Sequence, residues 1–223
     1  MKKISIIFAV IYLFVCFSYA RVFYANGSPE IKKVALTFDD GPGKATKKVL
    51  EILKEKNVKA TFFMLGVRVQ NDVETAKKVV AAGHEIGSHT YEHINFYSYK
   101  SADKAAKMKN EILRGIKIIK DKLGVDTYLM RLPYGYSRAD GINIAQKLGC
   151  CVINWSFGMD WENMSVEQMH RKYKEALKNG AIFLMHDLPA NDKILSFLSD
   201  FIEEIKAEGY EIVTVSELLG LKK

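Results

Sequence analysis

Two carboxylates stand side by side at Asp39-Asp40, where the run V-A-L-T-F from Val34 to Phe38 ends. Adjacent ionised carboxylates repel, and a cation beside them relieves the repulsion. The chain holds the other parts of a cation site. His89 and His93 are spaced i, i+4, and on a helical turn that spacing sets both imidazoles on one face. With one of the two aspartates they make three protein ligands and an open position, the pattern of a catalytic rather than a structural zinc-type centre. The other aspartate then stays ionised beside the metal. Two histidines and a carboxylate suit zinc first, and also cobalt, nickel or manganese.

These residues need elements to position them. Short apolar runs occur at 34–38, 60–65, 84–87, 127–131, 150–155, 181–185 and 211–215. Helical patterns lie between them: Met108, Ile112, Ile116, Ile119 and Leu123 recur at spacings of four and three, as do Ile194, Leu198, Phe201 and Ile205. Ser165 and Gln168 have the form of a capping box that opens a helix. Repeated strand–helix alternation predicts a parallel sheet with helices outside. Seven such units, with no glycine-rich dinucleotide fingerprint after the first strand, favour an α/β fold of the (β/α) barrel type. In such barrels the site gathers at the C-terminal ends of the strands. Asp39-Asp40, His89 and His93, Arg131, Asp160-Trp161 and His186-Asp187 all fall at that end of successive runs, which core packing alone does not predict. His84, at a strand start, and His170, on a helix, read as structural and boundary residues.

Composition sets the bounds. The chain has 223 residues, 48% hydrophobic and 26% charged, enough for one domain with a sizeable core. Its net charge is +7, of which Lys2 and Lys3 carry two, and no basic run extends beyond lysine pairs, so no nucleic-acid partner is expected. Residues 1–20 combine a basic start, an apolar stretch from Ile4 to Phe17 and the ending Ser18-Tyr19-Ala20. That is how a secretory signal peptide reads. An uncleaved N-terminal anchor is the alternative, and only then is a membrane a partner. Residues 21–33 form a polar lead-in, and residues 34–220 the single catalytic domain. Cys150 and Cys151 are chain neighbours in an apolar segment and read as buried thiols.

The residues then match a known pattern. T-F-D-D-G at Thr37–Gly41, H-T-Y-E-H at His89–His93, R-L-P-Y-G at Arg131–Gly135, D-W at Asp160–Trp161 and L-M-H-D at Leu184–Asp187 resemble the five motifs of the polysaccharide deacetylases, carbohydrate esterase family 4. The resemblance runs in the family's order from Val34 to about Leu219. It implies a distorted (β/α) barrel of about seven parallel strands. It also implies that Asp40, His89 and His93 are the metal ligands, and that Asp39 is the general base, held by Arg131. His186 would be the general acid and Asp160 would orient or tune the catalytic groups. Pro133 and Tyr134 would serve substrate and oxyanion, the latter through its backbone N–H. Trp161 and Leu184 would line a pocket for the acetyl methyl, and Thr90 keeps the hydroxyl residue after the first ligand histidine. One departure stands out: the fourth motif, W-S-F-G-M-D-W at Trp155–Trp161, is one residue shorter than in most relatives, and Gly158 stands near where they often carry a further aspartate.

The implied reaction is removal of acetyl groups from an N-acetylglucosamine polymer, peptidoglycan first and chitin-like oligosaccharide second, by an exported enzyme. Phe96, Tyr97 and Tyr99, after the second ligand histidine, either stack on sugar rings or pack on the barrel rim. Two rival functions give different expectations. A hydrolase of other C–N bonds or of small acylated molecules would release no acetate from glycan. A non-catalytic glycan binder would lack at least one of Asp39, Asp40, His89, His93 and His186, and all five are present.

Overall fold

The computed structural model describes residues 23–221, so the signal-peptide reading of residues 1–20 lies outside the described residues. Along the chain come β1 (Phe23–Tyr24), β2 (Lys33–Asp39), α1 (Lys44–Glu55), β3 (Thr61–Met64), α2 (Gly66–Asn71), α3 (Val73–Ala81), β4 (Glu85–Ser88) and α4 (Lys104–Leu123). There follow β5 (Leu129–Met130), α5 (Ala139–Lys147), β6 (Cys151–Ile153), α6 (Val166–Glu175), β7 (Ile182–His186), α7 (Leu198–Ala207), β8 (Glu211–Val213) and α8 (Val215–Leu219). Each of the seven apolar runs overlaps a strand. The eighth strand, β1, comes from the lead-in, which the sequence reading had placed outside the domain.

All pairings are parallel, in the order β1-β6-β5-β4-β3-β2-β7, with β8 also on β2. Ala35 pairs with both Ile182 of β7 and Val213 of β8, so β8 shares with β3 the edge of β2 that β7 leaves free. The barrel is closed irregularly. Beyond β6, the Ser156 N–H donates to Ile182 O at 3.0 Å and the Leu184 N–H to Phe157 O at 2.8 Å. Lower down, β1 adds to β6, and the Gly27 N–H donates to Gly180 O at 2.7 Å. Short strands at the base and a loop bridge above it make the distortion.

Parallel strands covered on both faces read as continuous apolar runs, as β2 does. Their side chains still alternate. Val34, Leu36 and Phe38 pack outward among Val49, Leu53, Phe183 and Phe201, beneath the helices. Ala35 turns inward to Phe63, Ile153 and Ile182, and Thr37 and Asp39 share its face. In β7, Phe183 and Met185 face out while Ile182, Leu184 and His186 face in. Parallel strands therefore deliver their last inward residues to one end.

The helix signals hold as well. Met108, Ile112 and Ile119 are buried along α4, and Leu198, Phe201 and Ile205 along α7. Ile194 is buried too, but in the 3-10 turn before α7. Ser165 caps α6: the Gln168 N–H donates to its hydroxyl, and its own N–H to the Gln168 side chain, both at 3.2 Å. Cys150 and Cys151 are buried, and burial pushes each thiol up to about 11. Among the described residues no helix is long and apolar enough to cross a membrane.

Candidate active site

Asp39 ends β2 and meets Arg131, which follows β5. The guanidinium is fully buried, and four of its five N–H donors are used. One terminal nitrogen donates to Asp39 Oδ1 at 2.7 Å and to Thr37 Oγ1 at 2.8 Å, the other to Asn154 O, and Nε to Ile153 O. The group also stacks over Phe63 at 4.3 Å. Burial pushes the Asp39 carboxyl above its ordinary value, and the Arg131 charge opposes that. Desolvation thus works against the ionised state expected for Asp39. A divalent cation alongside would act in the same sense as Arg131.

Asp40 leaves the strand with a left-handed φ of 74°. This conformation turns its carboxylate towards His89 and His93. The Asp40 Oδ1 lies 3.5 Å from His89 Nε2 and 3.4 Å from His93 Nε2. His89 Nδ1 lies 2.6 Å from Arg131 O, so it carries the proton and donates, leaving Nε2 with a free lone pair. Burial pushes the His89 imidazole down to about 3, which keeps it neutral at physiological pH. Ligand atoms of all three residues fall within 4.8 Å of one another, and Asp40 Oδ1 is buried without a hydrogen-bond partner. A buried carboxylate oxygen facing two imidazole nitrogens fits a divalent cation.

The two histidines do not ride on a helical turn, as their spacing suggested. Residues 89–95 form an irregular loop in which Thr90 and His93 have left-handed φ values of 68° and 62°. The amides that open α2 hold it: Gly66 N–H donates to Thr90 O and Val67 N–H to Tyr91 O. The rings still meet, with centroids 4.8 Å apart.

Opposite stands His186, the last residue of β7 and register partner of Asp39. Its Nδ1 contacts Asp160 Oδ1 at 2.8 Å, and its backbone N–H donates to Asp160 Oδ2 at 2.7 Å. Burial disfavours the imidazolium, but the hydrogen bond and charge of Asp160, with Asp39 and Asp40 adding, raise His186 to about 9.

A cleft of about 490 Å³ joins these groups and is large enough for a small ligand. Asp39, Asp40, His89, His93, His186, Leu184, Trp161 and Tyr134 line it. Trp161 and Tyr134 are about half exposed, and the Tyr134 ring lies 4.7 Å from that of His93. Arg131 and Asp160 sit behind the cleft wall, and Pro133 is buried at the start of the turn that carries Tyr134. The sequence reading missed Trp155 and Gly135 as lining residues, although both stand inside quoted motifs. It also missed Thr37, which braces Arg131, and Thr46, whose hydroxyl donates to the buried Asp187 at 2.5 Å. Phe96 packs in the rim and is fully buried, while the Tyr97 hydroxyl donates to Gly135 O.

A distorted parallel barrel with a two-histidine, one-aspartate centre at its C-terminal end defines a class of metal-dependent hydrolase. The family described as polysaccharide deacetylase matches residues 26–153, and the chain belongs to that family. A peptidoglycan-N-acetylglucosamine deacetylase of Bacillus cereus is 39% identical over 197 residues, covering 86% of this chain and 90% of that protein. A solved peptidoglycan N-acetylglucosamine deacetylase superposes with a TM-score of 0.84 at 28% identity, covering 91% of this chain and 95% of the other. A carbohydrate esterase family 4 pseudoenzyme of Bacillus anthracis superposes with a TM-score of 0.82 at 27% identity, covering 92% and 71%.

Proposed function

We propose that the protein removes the acetyl group from N-acetylglucosamine units of peptidoglycan, with a chitin-like oligosaccharide as the alternative substrate. The observation that carries the reading is the orphaned Asp40 Oδ1 between two imidazoles, facing a paired His186–Asp160 across one cleft. Asp40, His89 and His93 would hold one divalent metal, zinc first. Such an ion supplies polarisation of the acyl oxygen and a lowered pKa for water.

The chain's own residues do the rest. Asp39, fixed by Arg131, accepts the proton of the attacking water. His186 is protonated at neutral pH and gives its proton to the departing amine, whose nitrogen cannot leave as an anion. Asp160 keeps the His186 ring oriented and charged. The Tyr134 N–H faces the acyl oxygen as negative charge develops there. Leu184 and Trp161 enclose the acetyl methyl and exclude water. Pro133 sets the turn that presents Tyr134. The apolar stretch from Ile4 to Phe17 and the substrate class both support an exported, envelope-associated protein, whether that segment is cleaved or kept as an anchor.

The test is acetate release from purified peptidoglycan, chitooligosaccharide and acetylated xylan at equal acetyl content. Release fastest from peptidoglycan supports the proposal, and release from chitooligosaccharide alone reassigns the glycan. Release from none of the three, with metal bound, contradicts it.

A further inference from the structure

The loop bearing His89 and His93 has neither a strand ladder nor helical bonds of its own, and it rests on one face of α4. Glu111 of α4 is fully buried, and its Oε2 accepts the Glu92 N–H at 2.7 Å. Its Oε1 makes no hydrogen bond and lies 3.5 Å from Lys107 Nζ. One turn further, Gly115 lies directly beneath Thr90. A β-carbon at that position would fall 2.7 Å from the Thr90 carbonyl carbon and oxygen, so only glycine permits the approach. Between them, the Arg114 guanidinium covers the Tyr91 ring at 3.6 Å. Thr90, Tyr91 and Glu92, the three residues between the histidines, each meet their own residue of α4.

A carboxylate in a buried helix position is costly unless its partners require it. The partner here is the Glu92 N–H, one of the two backbone N–H groups between the left-handed Thr90 and His93, where the chain would otherwise relax. We propose that Glu111 is a positioning residue for the metal centre: by holding the Glu92 N–H it sets the spacing of the His89 and His93 ring nitrogens for a divalent cation. This rests on the reading that Asp40, His89 and His93 hold the metal. Glu111 touches neither metal nor substrate, so its effect belongs to metal affinity and geometry.

The experiment compares wild type with Glu111→Gln, Glu111→Asp and Glu111→Ala. Zn2+ affinity is measured by competition with a chromophoric chelator, and Co2+ is used to record the visible absorption of the site. Thermal unfolding of the metal-free proteins is followed in parallel. Glutamine keeps an acceptor at the same reach and should stay within a few-fold of wild type. Aspartate withdraws the oxygen by one methylene and alanine removes it. Both should bind Zn2+ ~10–100-fold more weakly, the usual scale for outer-layer partners of metal ligands, with a changed Co2+ spectrum. If the alanine variant does not fold, the glutamine–aspartate contrast decides the question in the same way. Folded aspartate or alanine variants with wild-type affinity and spectrum would overturn the role of Glu111. Wild-type affinity unchanged by His93→Ala would instead overturn the metal reading, and this role with it.

Discussion

Asp39 and Asp40 are chain neighbours with opposite surroundings. Asp39 accepts a hydrogen bond from a buried arginine, and Asp40 has a buried oxygen that nothing in the protein satisfies. Chemistry at the site follows from that difference. Asp39→Asn keeps the shape and the acceptor for Arg131 but cannot take a proton. We expect metal content to be retained and kcat to fall by ~10²–10⁴, the usual worth of a general base. Near-full turnover in this variant would remove Asp39 from the mechanism. His186 gives the pH dependence. Its pKa is raised to about 9, so the protonated acid is present below that pH and is lost as pH rises through it. Activity should therefore decline on the alkaline side around pH 9. Asp160→Asn removes the main source of the upward shift and should move that alkaline limb towards ~6.5, the ordinary imidazole value. A pH profile of kcat/KM checks this, and an unmoved limb would contradict the assignment of Asp160.

At the scale of elements, the strand ends bring the site together. The register of β2 with β7 sets Asp39 beside His186, and the period of two turns both inward. Much of this is legible in the sequence, because buried parallel strands show as apolar runs and the chargeable residues punctuate their ends. Other parts leave no such trace. A spacing of four between His89 and His93 fits a helical turn and an irregular loop equally, and only the left-handed Thr90 and His93 decide it. Glu111 reads as one more charge on an amphipathic helix, and its burial depends on a loop distant in sequence. Phe23-Tyr24 is too short to announce a strand until β6 is there to pair with it. The glycine of the fourth motif also acquires a reason. A β-carbon at Gly158 would lie 2.7 Å from the Leu184 β-carbon, because this segment runs hard against β7 and closes the barrel. Gly158→Ala should cost about 1–3 kcal/mol through overpacking and disturb the Leu184 wall. Denaturant unfolding would show the loss and a raised KM the disturbed pocket; neither change would mean that the segment yields freely.

Taken whole, the molecule is a barrel with short strands paired at its base, and its opposite end gathers every titratable group the proposed reaction uses. Fold alone does not guarantee activity, since a pseudoenzyme shares this architecture. What argues for turnover is that Asp39, Asp40, His89, His93 and His186 converge on one cleft with their supporting partners in place. The most direct test is acetate release from peptidoglycan by the purified protein, before and after chelation and after Zn2+ is restored, with metal content measured in each state. The account predicts that release is abolished by the chelator, returns with Zn2+, and tracks one bound ion per chain. Undiminished release from metal-free protein, or a full complement of metal with no release, would contradict it.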